Sequence, residues 1–548
     1  MLKERITGKV FIELEIQTKR RWGGLMSQVN DHATPVLTET RAGAEEKAKL
    51  KISVGRMDGL VLMICALVGL DTVAQTASYG AQSIVWLLFM AVFFFVPYAM
   101  LCSELGTAFP YEGGPYVWVK LSFGRVWAGI ATLFYWITNP VWVGGTLCIT
   151  AVATFSLFFT NLTGVWKYIF ALLFIWIATL ATVFSFRVGK WIPTLGAYAR
   201  AILIGFFSIT VLIYAAKHGL HGFGAGSYKP TWATFLLLTP ILFFNFEGFE
   251  LPSEASEEMK DAKKDVPFNI LRGGIGTVCM YGLPIIAILV VLPVNQVSNL
   301  SGFIDAIKTV FTVYGGSVAH DGTATLTGVG KLLGDLAAIG FILALISSAT
   351  SWLMGANRGF AVAGMDGAAP RFFGKISEKY GTPVAVDLLG GVISTVVMFL
   401  AFWLTSGNNS KYFSAVLGIT ISATTLSYCI IFPALIKLRY KYPNVDRPYK
   451  VPGGTSGVWI VGVLATFWAA LASIVLLWPG LLNPLAGSSM DSSLPSTFTG
   501  ERFSYEASQL VPVAIFLGFA IIFYFMGAPT RKEQLLDGTG LGETISTS

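Results

Sequence analysis

From Arg56 onward, long apolar stretches alternate with short polar connections, whereas residues 1–50 contain no apolar stretch. A helix needs about 20 predominantly apolar residues to cross a hydrocarbon core of ~30 Å. Twelve stretches reach that length, at approximately 57–80, 82–103, 127–158, 166–186, 191–216, 231–252, 268–293, 330–355, 384–405, 413–437, 456–478 and 510–527. The third is long enough to tilt or to begin as a surface helix. Between the seventh and eighth, Gly302–Tyr314 reads as a short amphipathic helix in a loop. The polar N-terminal segment predicts a disordered tail without a cleavable signal peptide, and Met26 is an alternative start.

Two of the stretches are interrupted. In the first, Leu67-Val68-Gly69 runs into Asp71-Thr72, and Asp and Thr are good N-caps, so a second half-helix can restart there. In the sixth, Asn245-Phe246-Glu247-Gly248-Phe249-Glu250-Leu251-Pro252 places glycine, proline and two carboxylates in an apolar setting. Carboxylates at membrane depth are costly and mark function by default. Breaks in the first and sixth helices are the pattern of a five-plus-five inverted repeat with discontinuous helices meeting at the midplane. Free N–H groups at such a break attract a carboxylate, and free carbonyls attract an ammonium or cation.

Composition agrees with the pattern. The chain is 54% hydrophobic and 13% charged, against about a quarter charged in soluble domains. Too few polar side chains remain to cover a water-facing surface. Trp86, Trp127, Trp166, Trp191, Trp232, Trp459 and Trp478 lie near the ends of apolar stretches, where an interfacial belt is expected. The cysteines sit singly, without metal-ligand spacing. No cofactor is expected.

Charge sets the orientation. With the N-terminus inside, cytoplasmic segments hold 30 Lys and Arg and outer segments hold 7. That bias predicts cytoplasmic N- and C-termini and explains the net charge of +7 without a nucleic-acid partner. Arg200 falls inside the fifth stretch, where it either faces the bundle or snorkels to the cytoplasmic interface.

Four segments resemble the amino acid–polyamine–organocation superfamily over roughly residues 55–455. They are Ser103-Glu104-Leu105-Gly106 through Pro115-Tyr116, Gly248-Phe249-Glu250 with Ser256-Glu257-Glu258-Met259-Lys260 and Pro267, Asn357-Arg358-Gly359 through Gly381-Thr382-Pro383-Val384, and Arg447-Pro448-Tyr449-Lys450-Val451-Pro452-Gly453-Gly454. The spacing of the first two helices is most similar to the glutamate/GABA antiporters and polyamine permeases. The resemblance implies a substrate site built by helices one, three, six, eight and ten. It puts Leu67, Val68 and Gly69 at the first helix break, Phe244 at an aromatic gate, Glu250 at a carboxylate associated with proton coupling, and Trp352 at an aromatic position lining the site. The chain departs from the family in keeping only Gly69 of a Gly-Ser-Gly break and in placing Glu247 where an apolar residue is common.

These residues define the expected site. Glu250 is the proton carrier, since His32, His218, His221 and His320 all fall in tails or loops. Arg200 is grouped with Glu250 in proton coupling and is the alternative charge partner of Glu247 and Asp71. Glu247 and Asp71 face a substrate ammonium, although Asp71 is equally a plain cap. Phe244, Phe246 and Trp352 stack on substrate or supply cation–π contact. Gly248 opens the break, and Asn139, beside the kink-forming Pro140, offers a polar contact. Glu104, Glu112, Gly113 and Gly114 shape an inner gate.

The chain thus reads as an all-α integral membrane protein of twelve transmembrane helices. Its expected parts are a cytoplasmic tail over 1–55, a ten-helix transport core over 56–455, helices eleven and twelve over 456–530, and a cytoplasmic tail over 531–548. The resemblance implies a transporter of amino acids or polyamines in the cell membrane, working by alternating access with proton symport or exchange. Its partners would be a small-molecule substrate, protons and lipid. A polytopic membrane enzyme would need clustered His or Cys or a phosphate loop, and a channel would need polar stripes along several helices. The sequence shows neither.

Overall fold

The computed structural model describes residues 41–50, 54–184, 189–219, 225–294, 297–298, 300–320, 322–404, 409–486, 489–490 and 494–536. Met26, His32 and His221 lie outside the described residues. What is described is overwhelmingly helical, with one two-stranded sheet of β1 (Gly316–Val318) and β2 (Ala324–Leu326) in a loop.

The expected tail is partly built. Helix α1 (Arg41–Lys47) precedes the first apolar segment. Lys47 pairs with Glu257 at 2.8 Å, Glu46 accepts the Ile376 N–H, and Val54 forms a parallel bridge with Met259. The sequence offers no periodic signal for this because the ordering comes from contacts with distant loops.

The first apolar segment is α2 (Arg56–Leu67) and α3 (Val73–Ala77), parted at Val68–Thr72. There follow α4 (Gln82–Ala108), α5 (Gly114–Phe123), α6 (Arg125–Phe158), α7 (Val165–Val183) and α8 (Trp191–His218). The next apolar segment is again split, into α9 (Trp232–Asn245) and α10 (Leu251–Glu254). After it come α11 (Ala262–Val291), the loop helix α12 (Gly302–Phe311), α13 (Gly328–Met365) and α14 (Val384–Leu404). The chain closes with α15 (Asn409–Ile431), α16 (Ala434–Lys441), α17 (Gly454–Leu477), α18 (Arg502–Met526) and α19 (Ala528–Leu536). Among the described residues, nine helical segments are long and apolar enough to cross a membrane.

Burial sorts these helices into centre and rim. In α6, 78% of the most apolar window is buried, against 17% in the α18–α19 segment, so α6 is central and α18 peripheral. Helix α6 packs on α15 and α13, α8 on α13, and α2 on α11. Small residues permit the closest approaches: a methyl on Gly144 of α6 would run into the Ser394 backbone, and one on Gly196 of α8 would hit Ser347. The outward faces expose Leu212, Ile202, Leu173, Phe525 and Trp403, which water would penalise and lipid accepts. Of the expected belt, Trp127, Trp166, Trp191, Trp232, Trp459 and Trp478 are exposed. Trp86 instead packs between Phe89 and Phe235.

Candidate functional site

The two helix breaks are built from residues that leave their helices for identifiable reasons. At the second, Gly248 takes φ +125°, which a side chain rarely adopts, and α10 restarts with Pro252 in its first turn, where a missing N–H costs nothing. The amides this exposes are not free: the Gly248 and Phe249 N–H groups both donate to the Tyr98 hydroxyl, at 3.0 and 3.2 Å. At the first break, Val68 N–H donates to Ile64 O, Gly69 N–H donates to the Tyr281 hydroxyl at 2.8 Å, and Thr72 donates back to Gly69 O. The Ala66 carbonyl takes the Trp352 indole N–H at 2.9 Å. Of the amides at Leu67, Val68 and Gly69, those of Val68 and Gly69 thus have partners inside the protein.

Glu250 sits at the centre of a hydroxyl cage. Its carboxylate accepts from Tyr98 of α4, from Tyr135 of α6 at 2.7 Å and from Tyr428 of α15 at 2.7 Å, all fully buried. Tyr98 and Tyr428 also approach each other, oxygen to oxygen, at 3.3 Å. Sequence reasoning missed these three tyrosines. Their signal was present: a phenol in the middle of an apolar span, away from the interface, needs a buried polar partner.

Asp71 does not cap α3. Its Oδ2 accepts from the Trp142 indole at 3.0 Å and from Thr146 at 3.4 Å, which ties the first break to α6. Its Oδ1 is buried with no hydrogen-bond partner among the described residues, and so is Oε2 of Glu247 at the second break. Aromatic rings join the two breaks. Phe244 stands edge-on to Trp142 at 5.7 Å, and Trp352 lies 6.0 Å from Tyr135 and against Gly248.

Three expected residues fall elsewhere. Phe246 is fully enclosed, packed on Phe95 at 4.5 Å and near Tyr281, so it does not join Phe244 and Trp352. The Asn139 amide donates to the Tyr135 and Trp136 carbonyls of its own helix, next to Pro140, which has no N–H to donate. Helix α6 then continues through a π turn at Val143–Leu147. Arg200 is fully buried, which decides against snorkelling, yet it forms no ion pair with Asp71, Glu247 or Glu250 among the described residues. It donates to Ala344 O at 2.9 Å and Ser348 Oγ at 2.6 Å, and Ser348 in turn donates to Cys65 O, so it cross-links α8, α13 and α2.

Below the breaks, on the face that carries α1, lies a layer of charge. Glu104 is held by Arg439 and by Arg447 at 3.3 Å. Arg358 pairs with Glu258 and lies 3.9 Å from Glu112. Asp366 gathers Lys120 at 2.8 Å, Arg125 at 3.0 Å and the Tyr116 hydroxyl. Burial alone would raise the Asp366 carboxyl, but Lys120 and Arg125 outweigh it and hold it below the usual carboxylate range. Gly113, in a left-handed conformation, and Gly114 pack where a side chain would strike Val362 and Ser253 respectively. Of the residues in this layer, Glu104, Glu112, Gly113 and Gly114 are those expected to shape an inner gate.

Residues 52–497 match the family described as amino acid permease. The chain belongs to that family. It is a multi-pass membrane transporter. Among its relatives, a probable agmatine/putrescine antiporter of Lactococcus lactis, AguD, is 28% identical over 79% of this chain and 88% of the relative. A glutamate/gamma-aminobutyrate antiporter of the same species is 24% identical over 71% of this chain and 77% of its own. A probable polyamine transporter of Arabidopsis thaliana is 25% identical over 84% and 90%.

Proposed function

We propose that this permease is a secondary active transporter that carries cationic amino compounds, polyamines or basic amino acids, across the cell membrane by alternating access. The observation that carries the substrate class is the pair of carboxylates at the two helix breaks. Asp71 and Glu247 each hold a buried oxygen without a partner, and no Lys or Arg pairs with either among the described residues. A buried negative charge calls for a counter-charge, and an ammonium group supplies it. Trp142, Phe244 and Trp352 beside them suit a cation by their ring faces. The names of the agmatine/putrescine and polyamine relatives support the same class.

Glu250 is the group we assign to proton coupling. As a carboxylate it accepts three hydroxyls, and once protonated it must donate to one of them. Tyr98 and Tyr428, already 3.3 Å apart, allow that rearrangement. Because Tyr98 also holds the Gly248 and Phe249 amides, a proton on Glu250 loosens the break itself, linking protonation to the motion of α9 and α10. Arg200 then acts as a fixed cross-link in this cycle.

The architecture that fits is twelve crossings with an inverted repeat in the first ten. The nine long helices, the two split segments and α14 supply the crossings. The Lys and Arg bias supports cytoplasmic termini. The test is counterflow into proteoliposomes of purified protein with labelled putrescine, agmatine, lysine, glutamate and GABA, with and without a pH gradient. Cationic amines are expected to exchange; movement of glutamate alone would reject the substrate class.

A further inference from the structure

Between Glu250 and the α1 face of the protein, the acidic side chains continue. Glu250, Glu254 and Glu258 are spaced by four residues, and Glu112 from the α4–α5 loop stands beside the last two. All four are essentially inaccessible, at 0–2% exposure. Glu258 has a close counter-ion in Arg358, whose guanidinium N–H donates to it. Glu254 has none: no ion pair reaches it among the described residues, and its Oε2 has no hydrogen-bond partner there.

The position of Glu254 is built rather than incidental. Its carboxylate lies against the Cα of Gly359 in α13, where any added methyl would collide with it. Its charged neighbours are Glu250 behind it and Glu112 ahead. Tyr135 of α6 also feels its charge. Arg358, next to Gly359 in sequence, turns to Glu258 and Glu112 instead. Helices α2, α5 and α11 pack on α10 but bring no titratable group to Glu254 among the described residues.

Glu112 completes the file. Its Oε1 is buried with no hydrogen-bond partner among the described residues, 3.9 Å from the Arg358 guanidinium. Its Oε2 accepts the Glu257 N–H, and its own N–H donates back to Glu257 Oε1. The Glu257 side chain is 31% exposed, so it reaches water. Burial, together with the charge of Glu258, pushes the Glu112 carboxyl well above the usual range, so it takes a proton readily.

We propose that Glu254 and Glu112 are proton-relay residues that carry the proton of Glu250 to the face bearing α1, which is cytoplasmic in the orientation proposed above. This rests on the reading of Glu250 as the proton carrier. Along helical backbone, four residues rise about 6 Å, a step one water can bridge. In each step the donor becomes a carboxylate and the acceptor a carboxylic acid. The proton leaves Glu112 for bulk water, which returns Glu254 and Glu112 to carboxylates and leaves Glu250 ionised. Glu258, locked to Arg358, is bypassed.

The test uses full-length protein in liposomes with an internal pH-sensitive dye, measuring proton flux and labelled putrescine counterflow separately. In Glu254→Gln, substrate-driven proton flux is expected to fall more than tenfold while counterflow falls less than threefold. Glu254→Asp should restore flux to within threefold of wild type. Gly359→Ala, which crowds the carboxylate without removing it, should also slow flux more than counterflow. Equal loss of both activities in Glu254→Gln, or undiminished proton flux, overturns the relay. Absence of proton flux in wild type with counterflow intact overturns the coupling role of Glu250 itself, whereas wild-type flux that survives in Glu254→Gln overturns the relay alone.

Discussion

Replacing Glu247 by glutamine keeps the shape of the side chain and removes its charge. If Glu247 faces a substrate ammonium, the loss can be bounded. Opposite charges ~4 Å apart at an effective dielectric of ~20 attract by about 4 kcal/mol. Stripping water from the ammonium consumes part of that, leaving about 1.5–3 kcal/mol, the usual worth of a hydrogen bond to a charged group. Because Glu247 is only 2% exposed, little of it is lost to solvent screening. Expressed as affinity, that is a rise of about 10- to 150-fold in KM for putrescine. The assay is counterflow in proteoliposomes over a range of putrescine concentrations, with the exposed Glu378→Gln as the control. The KM for an amino acid with an uncharged side chain should rise less than that for a diamine. A putrescine KM within twofold of wild type, or a fall in maximal rate at constant KM, would refute the assignment.

Tyr428→Phe removes one of three hydroxyls from the Glu250 carboxylate, at a cost of about 1.5–3 kcal/mol in the charged form. The pH at which transport is half-maximal should therefore move upward, and an unmoved profile would separate the cage from the titration. Gly248→Ala forces a methyl into a backbone at φ +125° and within 3.2 Å of Trp352, costing about 1–3 kcal/mol. Transport should drop more steeply than in Gly276→Ala, where a methyl meets open space. Asp366→Asn leaves Lys120 and Arg125 without their counter-charge and should cost on the order of 3 kcal/mol, read as a lower melting temperature in detergent. The Asp366 carboxyl is held low in the folded protein, so its stabilisation is complete above the unfolded value of about 3.9 and fades as pH falls through the lower folded value. The gap between wild type and variant should be flat from pH 8 to 5 and close only in stronger acid.

Much of the fold is legible in the chain because lipid imposes a length and a polarity on every crossing. The apolar stretches at 82–103, 166–186 and 456–478 reappear as α4, α7 and α17 with ends shifted by a few residues. Both breaks are legible too, since Gly69 with Asp71 and Gly248 with Pro252 are residues that helices shed. The amphipathic loop helix at Gly302–Tyr314 follows from its periodicity alone. That Glu250 needs polar partners is visible as well, because a carboxylate in an apolar segment is costly without them.

What the chain alone leaves open is which groups meet. Tyr98, Tyr135 and Tyr428 lie up to 330 residues apart, and only the packing of α4, α6 and α15 brings them to one carboxylate. Nothing local tells Phe244, beside the site, from Phe246, enclosed behind it two residues later. Arg200 illustrates the same point, since its sequence position fits a snorkelling residue as well as a buried one. The decision comes from Ser348 and the Ala344 carbonyl on another helix. Local residues determine where helices form, stop and break; the side chains that fill those breaks, and so the chemistry of the site, come from long-range packing that no single segment encodes.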